Sequence, residues 1–155
     1  MLILGRFTPE RKKILDAIRD KLREKDFVPI MFDFEKVDAR NVTETIMILA
    51  GLSKFVIADI TNPRSAPMEL QATVPNYQIP FITILQKDEK PFSMYSDLQK
   101  YPWVLPTISY DSEAELLEGF ELGILKRALD EDERLKAARQ LPPHEILDIK
   151  AYIPK

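Results

Sequence analysis

The feature that most constrains the fold of this chain is a regular alternation of short apolar runs with longer segments of helical periodicity. Such alternation is typical of a parallel sheet covered by helices on both faces. We therefore predict an α/β fold, a flavodoxin-like three-layer sandwich with a five-stranded parallel sheet in the order 2-1-3-4-5. The strand-like runs are LILGRF from Leu2, FVPIMFDF from Phe27, FVIADI from Phe55, IPFITIL from Ile79 and WVLPTISY from Trp103.

Local signals mark the ends of several elements. Thr8 can cap the first helix, and Pro9 suits its first position. Pro29 predicts that the second strand lies at a sheet edge, because proline cannot donate to a β-ladder. A short third helix is predicted from Ser65 to Val74.

The length of 155 residues fits one compact domain. We expect the α/β domain to span residues 1–128. Residues 129–155 are expected to form a charged helix extension and a C-terminal tail of the same domain, with the charged helix in solvent or against a partner. Because the chain opens at Met1 almost directly on an apolar run, fusion to another module in a longer protein is a further expectation.

Composition excludes several kinds of site. The chain has no cysteine, which excludes disulfides, thiolate nucleophiles and cysteine-based zinc sites. Its single histidine, His144, lies in a proline-flanked tail, so we expect no metal site and no Ser-His-Asp triad. The net charge of −3, with both signs spread along the chain, gives no footprint for nucleic acid. No apolar run approaches a membrane span and no signal peptide opens the chain, so a cytoplasmic protein without a membrane partner is expected.

Ligands of such sheets bind beyond the carboxyl ends of the strands, between strands one and three. The motifs GxGxxG, GxxxxGK[ST] and GxSxG are absent, so Rossmann, P-loop and α/β-hydrolase sites lack their signatures. The polar or aromatic residues at the predicted strand ends are therefore the candidates for a binding site. They are Gly5, Arg6, Phe7 and Thr8 after strand one, Asp33 and Phe34 at the end of strand two, and Asp59, Thr61, Asn62 and Ser65 after strand three.

The stretch FVIADITNPRSAPMEL, from Phe55, contains two carboxylates close to this point. Glu69 either complements the dipole of the third helix as a helix-start residue, or faces a pocket as a working carboxylate. Asp59 can cap the loop that follows it. Alternatively, it could accept a phosphoryl group, as in receiver domains of two-component signalling. Strand one lacks the acidic pair that would hold Mg²⁺ for that chemistry, which argues against the receiver interpretation.

The segment SKFVIADITNPRSAPMELQATVP, from Ser53, resembles the middle of Toll/interleukin-1 receptor (TIR) domains. There an apolar strand is followed by a loop with serine and by a helix that carries a glutamate. The charged loop EKVDARN before TETIMILAGLS resembles that family's loop between strand two and helix two. ADIT followed by MEL also resembles nucleoside 2-deoxyribosyltransferases and related nucleotide-binding TIR-like proteins. The similarity covers roughly Leu2 to Tyr110 and points most closely to the bacterial TIR-like group.

This resemblance implies an activity and a site. Many TIR domains of this kind cleave NAD⁺ into nicotinamide and a linear or cyclic ADP-ribose product, so NAD⁺ is expected as substrate and no cofactor is expected. The family's essential glutamate maps onto Glu69 as the catalytic residue. The residues that would bind the nucleotide are Gly5, Arg6, Phe7, Asp33, Phe34, Asp59, Thr61 and Ser65.

Two other functions remain open. Many TIR domains are adaptors without catalysis, and such a module would self-associate through helix two, its preceding loop and the next helix. A homo-oligomer built by contacts of this kind is therefore expected. The third possibility is deoxyribosyl transfer between nucleosides.

Overall fold

The computed structural model describes residues 1–31, 42–140 and 148–152. Within these ranges the strands form one parallel sheet in the order β2-β1-β3-β4-β5. This finding confirms the predicted fold class and strand order. The strands are β1 (Leu2–Leu4), β2 (Ile30–Met31), β3 (Val56–Asp59), β4 (Phe81–Gln86) and β5 (Ile108–Tyr110).

Helices follow the strands along the chain. The first begins as predicted, because Thr8 occupies its N-cap position and Pro9 its first turn. The helical segments are α1 (Pro9–Glu24), α2 (Val42–Gly51), α3 (Ala66–Thr73), α4 (Tyr95–Leu98), α5 (Glu113–Glu118), a π-helical turn (Glu121–Lys126), α6 (Arg127–Arg139) and a 3₁₀ turn (Ile149–Tyr152).

The sheet separates two apolar cores, because alternate residues of each strand point to opposite faces. On one face Ile3 and Ile57 pack against α1, α5, the π-helical turn and α6. On the other face Leu4, Val56 and Ala58 pack against α2, α3 and α4. All four residues of β3 are buried, as expected for a central strand covered on both sides.

The two edge strands are shorter than the apolar runs predict. β2 contains only Ile30 and Met31 in the described part of the chain, and it lies at the sheet edge as Pro29 predicts. The run from Trp103 pairs with β4 first through a single bridge at Val104. Regular β5 begins only after Pro106, which cannot donate to the ladder.

The charged C-terminal helix packs onto the domain, whereas its composition predicts a helix in solvent or against a partner. Ala128 and Leu135 of α6 are buried in the described structure. Lys54, just before β3, forms an ion pair with Asp132 of α6 at 3.4 Å. The guanidinium of Arg139 donates to the carbonyl of Gln78. α6 is therefore part of the domain, although most of its residues are charged.

None of the helices in the described ranges combines the length and the apolar character that a membrane span requires.

Candidate active site

The connections after β1 and β3 leave the sheet toward opposite faces. The switch point between them, beyond the carboxyl ends of the two strands, is called the crevice below. α1, which follows β1, covers one face, and α3, which follows β3, covers the other. The register pairs Leu4 of β1 with Ala58 of β3, so the two strands reach the same edge side by side. This crevice is the position where parallel sheets of this order bind ligands.

Glu69 lies on the buried face of α3. Only 4% of Glu69 is exposed, and it shares its helix face with Ala66, Leu70 and Thr73. The matching first-turn glutamate of α2, Glu44, is exposed. A glutamate that only complements the helix dipole gains nothing from burial, because taking a carboxylate out of water costs several kcal/mol. The inward position therefore argues against a purely helix-start role, and a catalytic role for Glu69 stays a prediction.

Asp59 faces away from Glu69, toward the side of the sheet that α1 covers. Its carboxylate Oδ2 accepts from Arg11 Nε at 2.8 Å and from Nη2 at 2.6 Å. Its Oδ1 accepts from the backbone N–H of Thr61 at 3.0 Å, the loop cap that is one of its two predicted roles. Asp59 is 1% exposed and Arg11 6%. Both carboxylate oxygens are thus engaged with groups of the protein itself.

The Arg11 guanidinium joins the carboxyl ends of three strands. Beyond Asp59 of β3, its Nη1 donates to Gln86 Oε1 of β4 at 2.7 Å, and its Nη2 donates to the Tyr110 hydroxyl of β5. Its Cζ lies 6.0 Å from the centre of the Tyr110 ring. A single side chain from α1 therefore ties β3, β4 and β5 together at the edge where the crevice opens.

The electrostatics of this cluster keep its charges fixed. Burial by itself lowers the pKa of Arg11, but the charge and hydrogen bonds of Asp59 outweigh burial and raise the pKa above its usual value. Burial raises the pKa of the Tyr110 hydroxyl, and the negative charge of Asp59 raises it further. Arg11 therefore stays charged and Tyr110 stays neutral over the physiological pH range.

Thr61 completes a closed ring of hydrogen bonds. Its hydroxyl accepts from the backbone N–H of Gln86 at 2.9 Å, and its own N–H donates to Asp59. The ring runs from Arg11 to Asp59, to Thr61, to Gln86 and back to Arg11. Thr61 is itself buried, so its polar groups are used to shape the loop that leads to α3.

Gly5 is placed by close packing. A Cβ at this position would lie 3.0 Å from Leu15 Cδ2 and 3.2 Å from the Cβ of Asp59. Phe7 also packs on the α1 face. The alternation therefore places Arg6, between them, in the register of Leu2 and Leu4 on the face that α3 covers. The Arg6 Nε is buried and has no hydrogen-bond partner among the residues that the structure describes.

Ser65 precedes α3 at the N-cap position but does not cap it with its side chain. Its carbonyl accepts from the N–H groups of Met68 at 3.0 Å and Glu69 at 3.1 Å. The hydroxyl therefore plays no part in closing the first turn.

The structure thus brings part of the predicted site together at one edge. Gly5, Arg6 and Phe7 follow β1, whereas Asp59 ends β3 and Thr61 and Ser65 follow it. Asp33 and Phe34 lie outside the described residues, as does His144. Within the described ranges, no group of three acidic or histidine side chains could hold a metal ion. Whether these residues bind a nucleotide remains a prediction.

Sequence reasoning missed Arg11, Gln86 and Tyr110. A signal for Arg11 exists in the periodicity of α1, because Arg11 shares the helical register of the buried residues Ile14 and Leu15. A charged side chain on an apolar stripe requires a buried partner, and Asp59 at the end of an apolar strand is the natural one. No comparable signal marks Gln86 or Tyr110, whose roles depend on the strand register.

The comparisons with known proteins show the fold. No protein-family model matches the sequence, and no curated protein matches it. A solved structure of the CMP N-glycosidase BcmB from Clostridium botulinum aligns with a TM-score of 0.61 and 19% sequence identity. The alignment covers 78% of this chain and 97% of that one. A flavodoxin from the domain Archaea aligns at 16% identity and a TM-score of 0.49, over 87% of this chain and 97% of the flavodoxin.

Proposed function

We propose that this protein cleaves the N-glycosidic bond of a nucleotide, with Glu69 as the catalytic carboxylate. The observation that carries the proposal is the burial of Glu69, 4% exposed, on the inward face of α3 beside the crevice between β1 and β3. Crevices at this point are where ligands of such sheets bind. A buried carboxylate at this position is a candidate for catalysis, because a charge held out of water interacts strongly with charge that develops on a bound substrate.

When the base leaves as a neutral molecule, the reaction needs little more than a fixed negative charge. The bond between C1′ and the base nitrogen breaks, and its electron pair leaves with the base. The ribose then passes through an oxocarbenium-like state, as in glycoside hydrolysis. A carboxylate held in a dry site stabilises that positive charge, and water then adds to C1′ and releases a proton.

Two substrate classes fit this chemistry. The TIR resemblance of the segment around Glu69 favours NAD⁺, whose nicotinamide leaves as a neutral molecule and needs no general acid. BcmB, one of the solved structures similar to this chain, is a CMP N-glycosidase, which favours a nucleoside monophosphate. Cytosine leaves less readily than nicotinamide, because without a proton donor it departs as an anion. Both classes carry phosphate, for which Arg6 in the crevice is a suitable guanidinium partner.

The first test measures release of free base by chromatography. NAD⁺ and CMP are incubated separately with concentrated protein, with and without a crowding agent that promotes assembly. We expect one of them to yield nicotinamide or cytosine. Glu69→Gln should lower kcat by about a hundredfold or more, because it removes the charge and keeps the shape.

Glu44→Gln is the matched control. Glu44 is also a glutamate in the first turn of a helix, on the neighbouring α2, but it is exposed. The control should keep wild-type activity, and both variants should keep the wild-type circular dichroism spectrum. Equal loss of activity in the two variants, or full activity in Glu69→Gln, would remove Glu69 from the mechanism.

A non-catalytic assembly module is the second candidate. Ile48 on α2 and Leu52, the residue after its end, are exposed, as is Met68 on the adjoining α3. Apolar side chains on these two helices suit self-association through this surface. Oligomerisation that depends on protein concentration and is unaffected by Glu69→Gln, without release of base, would favour this candidate. Transfer of a deoxyribose between free bases would instead identify a transferase.

A further inference from the structure

The loop between β3 and α3 determines where Glu69 sits, and Thr61 near its start is held by hydrogen bonds on two sides. Thr61 donates from its N–H to Asp59 and accepts at its hydroxyl from the N–H of Gln86. One residue earlier, Ile60 donates to the carbonyl of Ile84 at 3.0 Å, which extends the pairing of β3 with β4. The chain then turns at Asn62, which has a positive φ of 44°. Residues 62–65 connect this fixed point to α3.

The buried Arg11–Asp59 ion pair is a weak source of net stability. Both side chains are almost completely buried, 7% and 0% exposed, and desolvation of two charges offsets much of their attraction. Apolar residues of similar volume commonly stabilise such a position at least as well. Apolar residues cannot supply directional hydrogen bonds. The guanidinium fork donates to acceptors of β3, β4 and β5 at once, and thereby sets the edge from which the loop departs.

We propose that the ring of Arg11, Asp59, Thr61 and Gln86 is a positioning device for Glu69. None of the four is a catalytic residue in this proposal, because they lie on or beneath the face opposite Glu69. They fix the point at which the loop leaves β3. The loop in turn leads to the first turn of α3, where the carbonyl of Ser65 accepts from the N–H of Glu69. This inference rests on the proposed function for its catalytic part, and on the geometry alone for its structural part.

The test compares two threonine variants of the full chain. Thr61→Val keeps the side-chain shape and removes only the hydroxyl that accepts from Gln86. Thr83→Val is the matched control: Thr83 is also buried, and its hydroxyl lies 2.8 Å from that of Thr107 and close to that of Tyr95. Thr61→Ser retains the hydroxyl and serves as the rescue variant. If Thr61→Val does not fold, Gln86→Met, which removes the side-chain acceptor of Arg11 within the ring, takes its place.

Two readouts separate the structural and catalytic parts. Hydrogen exchange followed by mass spectrometry reports the opening of residues 62–69 without any need for activity. Steady-state kinetics on the substrate that wild type cleaves report kcat and KM separately. We expect faster exchange of this segment in Thr61→Val alone, with kcat about ten- to hundredfold lower and KM nearly unchanged. Thr61→Ser should restore both.

Each outcome tests either the structural or the catalytic part of the proposal. Equal exchange of residues 62–69 in the two valine variants overturns the positioning role, whatever the activity. Faster exchange in Thr61→Val with kcat equal to that of Thr83→Val overturns the link to catalysis. If exchange is faster in Thr61→Val but the wild-type protein releases no base, the positioning of the loop is supported and the proposed glycosidic cleavage is refuted. The two proposals therefore fail in different experiments.

Discussion

At the scale of single residues, the same amino acid has different surroundings at similar positions. Glu44 and Glu69 both lie in the first turn of a helix at the carboxyl edge of the sheet, yet only Glu69 is buried. The sequence alone does not tell them apart, since both suit the helix dipole. The difference comes from which face of each helix meets the sheet.

Gly5 and Gly123 also differ in their surroundings, so replacing each with alanine should change the free energy of unfolding in opposite directions. Gly5→Ala places a Cβ 3.0 Å from Leu15 and 3.2 Å from Asp59, so we expect overpacking to lower the free energy of unfolding by about 1–3 kcal/mol. At Gly123, in the π-helical turn, an added Cβ meets nothing within 4 Å. Gly123→Ala should raise the free energy of unfolding by about 0.5–1 kcal/mol, because alanine loses less backbone entropy in a helix.

Urea denaturation of both variants against wild type measures these changes. A neutral Gly5→Ala would mean that Leu15 moves aside easily and that the close approach of α1 to β3 is not required.

At the scale of elements, helix ends separate structural serines from serines with another use. Ser112 starts α5, and its hydroxyl accepts from the N–H of Glu115 at 3.2 Å. Ser65 starts α3 with its backbone in the helical region and no side-chain cap. The TIR resemblance maps a site serine onto Ser65, which fits a hydroxyl that the helix itself does not use.

The same substitution at both ends tests this difference. We expect Ser112→Ala to cost about 1 kcal/mol of stability through loss of the cap. Ser65→Ala should change stability by less than about 0.5 kcal/mol. Thermal melts of the two variants measure the change in stability, and release of free base measures whether Ser65 takes part in the site. A loss of about 1 kcal/mol in Ser65→Ala would show that its hydroxyl stabilises α3 after all.

The predictability of each element follows from how local its cause is. The α1 start at Thr8 and Pro9 is encoded within a few residues, and the order of the strands follows from the alternation of runs. The packing of α6 is not encoded locally, because Ala128 and Leu135 are too few to mark an apolar face among charges. The Arg11 ring depends on contacts between residues 48 and 75 positions apart in the chain. Such contacts exist only once the sheet has formed.

At the scale of the whole molecule, the two cores share one sheet. Ile57 and Val56 are neighbours in β3, yet each belongs to a different core. The buried ion pair of Arg11 adds a further tie, since it joins α1 to three strands. An arrangement in which every strand serves both faces should unfold as one unit, because neither core can persist without the strands of the other.

This coupling can be measured with one substitution on each face. Leu15→Ala removes a buried side chain from the α1 face, and Leu70→Ala removes one from the α3 face. Each should cost about 2–5 kcal/mol, and the double variant should lose nearly the sum, because the two sites lie on opposite faces of the sheet.

The only tryptophan, Trp103, packs on the α3 face, where its indole N–H donates to the carbonyl of Val74 at 2.8 Å. Its fluorescence should therefore report the loss of Leu15 on the far face with the same transition midpoint as far-UV circular dichroism. If Leu15→Ala lowered the midpoint seen by circular dichroism while the Trp103 midpoint stayed at the wild-type value, the cores would unfold separately. A separately unfolding α1 face would also release the Arg11 ring while α3 stayed folded, and Glu69 would then lose its fixed position before the α3 face melted.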